Sequence, residues 1–170
     1  MNIAIVTDST ADLPGKLAEK LNIQVVPAIL VIEGPSYEDG FGLTREQFYE
    51  RLPGLQQVPS TASPSAGAFE NLYRRLLDQG AEAIISIHVS NQLSGIYNTA
   101  CLAAQTFGER VRVVDSQSLS MGIGYQVLAA SAAASQNLSL EKILAQIETT
   151  RLQLHLIAML DTLEYIHRSG

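Results

Sequence analysis

Short aliphatic runs alternate along this chain with longer stretches of mixed polarity. Residues 3–6, 83–89 and 111–114 are nearly continuous in apolar side chains. Such runs predict strands covered on both faces, as in a parallel sheet. The stretches between them carry helix signals. Ser9 or Thr10 is placed to cap a helix reaching about residue 21. Residues 24–32 are β-rich, and Pro27 confines that run to a sheet edge or a bulge. Residues 33–36 read as a turn. Thr44-Arg45-Glu46-Gln47 has capping-box spacing and predicts a helix to about residue 52. Ser63-Pro64 reads as a cap followed by proline at the first helical position, with the helix ending near residue 78. Further helices are predicted over 96–107, 122–135 and 139–152, and residues 155–160 read as a strand. The alternation predicts an α/β fold, with a mainly parallel sheet and helices on both faces.

Composition narrows the class. The chain has 170 residues, 46% of them hydrophobic and 16% charged, which suits a packed core rather than disorder. The formal net charge of −6 argues against sequence-independent nucleic-acid binding, which needs a basic surface. The single cysteine, Cys101, rules out an internal disulfide and is expected in the core. No apolar run reaches the ~20 residues of a membrane span. The start of the chain has no basic stretch followed by a cleavage-like site, so a cytoplasmic location is the expectation.

Candidate chemistry gathers where the strands end. Ligands of open α/β sheets bind beyond the carboxyl ends of the strands. Those ends carry Thr7-Asp8-Ser9-Thr10, the loop from Ser90 through Ser94 to Gly95, and Asp115-Ser116. The segment from Ser60 to Ser65 adds more hydroxyls. Each cluster alone is explained by caps and turns, but several at one sheet end predict a polar pocket. The Ser90 loop leads a buried strand into a helix, whose first amides favour an anion. No Lys or Arg occurs in residues 59–73, 80–108 or 115–141. A phosphate monoester usually recruits such a cation or a metal, so this pattern favours a carboxylate held by hydroxyls.

Other chemistries match less well. Gln92 stands where a nucleophile elbow needs glycine before Ser94. Met121-Gly122-Ile123-Gly124 matches neither a Walker loop nor a dinucleotide fingerprint. His88, His155 and His167 lack metal-ligand spacing; His88 and His155 are expected in the core and His167 in solvent.

These segments, in order along the whole chain, resemble the DegV family of bacterial fatty-acid-binding proteins. The resemblance rests on Thr7-Asp8-Ser9-Thr10; Val25-Val26-Pro27 with Tyr37-Glu38-Asp39-Gly40; Thr61 with Pro64-Ser65; Ser90 with Leu93-Ser94-Gly95; Val114-Asp115-Ser116; Met121-Gly122-Ile123-Gly124; and Asp161-Thr162-Leu163-Glu164-Tyr165. It implies a two-domain fold that holds one long-chain fatty acid, such as palmitate, without a cofactor or metal. The lipid carboxylate maps onto Thr61 and Ser94, with the backbone amide near Gly95 beside them. It further implies that the protein is not itself an enzyme. It would present the acid to the catalytic subunit of a fatty acid kinase, which makes an acyl phosphate for phospholipid synthesis. The family usually has Ser where this chain has Ala62, and Thr where it has Ile96.

The chain is short for the family, which implies a truncated second domain. Residues 1–153 are expected to form the N-terminal domain, and 154–170 the beginning of the next. An unpaired strand there would invite homodimerisation or strand exchange. Two other readings stand beside the carrier. One is a hydrolase or acyltransferase with Ser94 as nucleophile, assisted by His88 or Asp115. The other is a truncated domain with no ligand function.

Overall fold

A computed structural model describes residues 1–164 and His167. Four parallel strands form the central sheet: β1 (Ile3–Asp8), β2 (Gln24–Val26), β6 (Ala83–His88) and β7 (Val111–Asp115), in the order β2-β1-β6-β7. β1 and β6 pair in register from Ile3 opposite Ala83 to Thr7 opposite Ile87. Both are central and buried, which explains their unbroken aliphatic character. Helices α3 (Ala66–Asp78) and α4 (Ile96–Ala104) pack together and against β6. Helices α5 (Met121–Ser135) and α6 (Leu140–Gln153) pack together on the other face, where α5 contacts β1 and β6. Phe69, Tyr73, Ile84, Ile85, Ile123, Ile143 and Ile147 fill the core. The α/β fold with helices on both faces is therefore as expected.

The structure adds a second sheet. Pro27, which has no N–H for a ladder, breaks the β-rich run in two. β2 stops at Val26 on an edge of the central sheet, and β3 (Ile29–Val31) starts a separate antiparallel sheet. That sheet has the order β4-β3-β5, with β4 at Ser36–Glu38 and β5 at Ser60–Ala62. Together with α2 (Arg45–Arg51) it makes a lobe inserted between β2 and α3. The capping box at Thr44 is present: Gln47 N–H donates to Thr44 Oγ1 at 3.2 Å, and Thr44 N–H to Gln47 Oε1 at 3.1 Å.

Several local expectations shift. The first helix, α1, spans Gly15–Lys20, and Pro14 rather than Ser9 or Thr10 precedes it. Residues 9–11 instead form a 3₁₀ turn capped by Asp8. α3 begins after Ser65, whose side chain accepts the Ala68 N–H, so Ser63 and Pro64 stay outside the helix. Residues 155–160 form no strand, and His155 is exposed rather than in the core. Cys101 is half-buried beside Tyr97 rather than wholly in the core. The family-like segment from Asp161 ends at Tyr165, which lies outside the described residues. No helix among the described residues is long and apolar enough to cross a membrane.

Candidate functional site

A groove of about 670 Å³ lies between the inserted lobe and the carboxyl ends of the central strands. A volume of that size is typical of small-molecule pockets. From the lobe come Leu30, Leu43, Phe48, Tyr49 and Thr61; from the sheet ends come Thr10, Val89, Leu93, Ser94, Gly95, Ile96 and Leu119. Apolar side chains thus share the groove with hydroxyls.

The three residues singled out from the sequence meet here. Thr61 sits on β5 opposite Leu30 of β3 and is exposed. Ser94 lies in the loop after β6, which folds back on Ser90: the N–H groups of Leu93 and Ser94 donate to the Ser90 carbonyl at 2.9 and 3.1 Å. Ser90 N–H is in turn pinned to the Ser118 carbonyl at 3.0 Å. Ser94 Oγ accepts the Ile96 N–H at 3.3 Å, so its own hydrogen remains to be donated. Gly95 precedes α4 and passes close to the lobe: a Cβ there would lie 3.1 Å from Ser63 Oγ. A side chain at 95 would require the Ser63 hydroxyl to give way by a few tenths of an ångström.

One groove residue carried no signal in the linear sequence. Arg45, the first residue of α2, reaches the groove wall from outside the cation-free intervals. Its guanidinium lies 2.5 Å from Asp12 Oδ1 and 3.7 Å from Asp39 Oδ2, and it donates to the Ser9 carbonyl at 3.2 Å. Burial works against the charged form, but the Asp12 hydrogen bond and the charges of Asp12 and Asp39 outweigh it, leaving Arg45 firmly protonated. Asp12 Oδ2 also accepts the Ser120 hydroxyl at 2.5 Å. The groove's only cation among the described residues is thus matched by two carboxylates, and hydroxyls and backbone amides remain its anion-directed groups.

His88 serves a different network. Its Nδ1 lies 2.9 Å from Asp8 Oδ2 and its Nε2 lies 2.7 Å from Ser86 Oγ, with all three side chains fully buried. Tyr73 donates its hydroxyl to Ser86 Oγ at 2.8 Å. Burial pushes the Tyr73 hydroxyl up, so it remains a donor. A continuous hydrogen-bonded chain therefore links Tyr73, Ser86, His88 and Asp8. Asp8 also accepts the N–H groups of Val89 at 3.2 Å and Thr10 at 3.0 Å, and the Thr10 hydroxyl. Both ring nitrogens of His88 are engaged away from Ser94. Asp115 accepts the Gln117 N–H at 2.8 Å. The geometry thus withholds a His88 base from Ser94.

Met121-Gly122-Ile123-Gly124 has a packing explanation. A Cβ on Gly124 would sit 2.9 Å from the Ala11 carbonyl oxygen, so glycine lets the first turn of α5 rest on the 3₁₀ turn beside the groove. No cluster of metal-ligating side chains occurs among the described residues.

The family model described as "Uncharacterised protein, DegV family" matches residues 2–170. A DegV domain-containing protein of Deinococcus radiodurans is 38% identical over 170 residues, which is 100% of this chain and 60% of the relative. A solved structure on fatty acid binding of a DegV family protein from Thermus thermophilus matches with a TM-score of 0.84 and 39% identity, covering 89% of this chain and 54% of that one. DegV from Bacillus subtilis, described as a fatty acid binding protein, matches with a TM-score of 0.82 and 30% identity, covering 89% and 54%. The chain thus spans little more than half the length of these relatives.

Proposed function

Because the chain belongs to the DegV family, we propose that its groove holds a long-chain fatty acid, the carboxylate on Thr61, Ser94 and the amide near Gly95. The observation that carries this reading is the convergence of those three residues in one groove with an apolar wall. Two similar solved structures, from Thermus thermophilus and Bacillus subtilis, are described as fatty-acid-binding. Hydroxyl donors and first-turn helix amides suit a singly charged head. Leu30, Leu43, Phe48 and Leu119 offer the alkyl chain a surface, and each buried methylene gains ~0.8 kcal/mol.

In this reading the chain is a carrier, not a catalyst. It shields the acid from water in the cytoplasm and presents it to the catalytic subunit of a fatty acid kinase, which makes an acyl phosphate for phospholipid synthesis. Residues 1–153 form the binding domain. Residues 154–170 lead into the next, consistent with the exposed Ile157 and Met159 side chains.

Native mass spectrometry with lipid extraction tests the core of the proposal. The expected result is close to one fatty acid per wild-type chain. Ser94→Ala removes one charge-assisted hydrogen bond and should weaken retention about tenfold or more. Equal lipid content in wild type and variant would reject the headgroup assignment.

A further inference from the structure

Three locally unfavourable features converge on one wall of the groove. Arg45 places a cation at the first position of α2, where the helix dipole disfavours positive charge. Asp12 and Ser120 are non-glycine residues at φ 54° and 52°, in the sparsely populated left-handed half of backbone space. Yet Asp12 meets both of the others: Oδ1 pairs with Arg45 and Oδ2 accepts from Ser120. Three separate local costs at one point imply a shared tertiary purpose.

The connectivity shows what the cluster joins. Arg45 and Asp39 belong to the inserted lobe; Asp12, Ser9 and Ser120 belong to the body. Thr61 lies on the lobe and Ser94 on the body, so the two residues line the groove from opposite sides. The spacing between them depends on how the lobe is held. Among the described residues, Arg45 is the lobe side chain that crosses to the body through an ion pair, contacting Asp12 and the Ser9 carbonyl.

We infer that Arg45 is a positioning residue: paired with Asp12, it latches the lobe to the body and sets the Thr61-to-Ser94 spacing that retains the lipid head. This rests on the reading of the groove as a fatty-acid site. Arg45 acts through the lobe, since Asp12 and Asp39 already match its charge. Opening the latch frees Thr61 to move away from Ser94, so dissociation speeds up. Because the Arg45 and Asp12 side chains are 46% and 31% exposed, salt weakens the latch.

The test is the rate at which palmitate leaves the chain, measured against a lipid acceptor at low and high salt. Wild type should release palmitate faster as salt rises. Arg45→Met should release it about fivefold faster at low salt and show a flat salt response. Asp12→Asn should match it, and the double variant should be no faster than either single one. Arg45→Lys keeps the charge and should recover part of the retention and the salt dependence. Arg45 is substantially exposed, so these variants are expected to fold, and circular dichroism checks this. Unchanged release in Arg45→Met, or additive effects in the double variant, would overturn the latch while leaving the lipid site standing. A wild-type chain that holds no palmitate at all would overturn both.

Discussion

Asp8→Ala is expected to cost the fold about 3–5 kcal/mol. The Asp8 carboxylate is fully buried at the end of β1, where it accepts from the His88 ring, Val89 N–H, Thr10 N–H and the Thr10 hydroxyl. Alanine would strand those donors in the interior and leave an imidazole without its anchor. Asp8→Asn keeps the volume but turns an NH₂ donor toward groups that are themselves donors, so most of the loss should persist. Urea unfolding monitored by circular dichroism reads the change. A loss under about 1 kcal/mol for Asp8→Ala would show that the network does not hold the sheet end together.

The same carboxylate ties stability to pH. Burial alone would raise it, but the hydrogen bond and attraction of the His88 ring, the Thr10 hydroxyl and the Val89 N–H together hold it below its ordinary value of 3.8. A group lowered in the folded state binds its proton more readily once unfolded. Its contribution is therefore complete above the ordinary value and disappears as pH falls through the lower folded value. The gap in unfolding free energy between wild type and Asp8→Ala should be constant at neutral pH and close only in that acid range.

Gly124→Val should cost about 3 kcal/mol, although its position inside α5 would ordinarily penalise glycine. A Cβ at 124 meets the Ala11 backbone oxygen and Met121 Sδ, each at 2.9 Å. The carbonyl has no rotamer to adopt, so α5 or the 3₁₀ turn must move. Gly122 is the control. Its Cβ would meet the Ser118 hydroxyl, which can rotate away, and Ser118 Cβ at 3.1 Å, so Gly122→Val should be milder. Thermal and urea midpoints for the two variants decide this, and equal losses would remove the close-approach explanation of the motif.

The heart of the central sheet was legible because β1 and β6 are buried on both faces and carry that fact as unbroken aliphatic runs. The lobe was not. β5 consists of Ser60, Thr61 and Ala62, all exposed, and it becomes a strand only by pairing with β3. Nothing in its own side chains encodes that, since short exposed strands take their state from tertiary partners. The start of α1 departs from its local signals for a related reason. Ser9 and Thr10 are good caps in isolation, but here Ser9 Oγ accepts the Ala28 N–H and Thr10 is bound to Asp8. The hydroxyls of the groove were visible as polar clusters at strand ends. The pairing of Arg45 was invisible because Asp12 lies far from it in sequence and only the insertion of the lobe brings the two together.

The lobe leaves and rejoins the body at neighbouring points, since Ile29 and Ala62 are partners in the small sheet. Everything between them can lengthen, shorten or change sequence without altering the register of β1 against β6. One wall of the groove can therefore vary while the Ser94 loop stays fixed on the sheet. In the proposed carrier, selectivity for ligand shape and the stability of the central sheet would thereby lie in separate stretches of chain, and variation could adjust the first without disturbing the second.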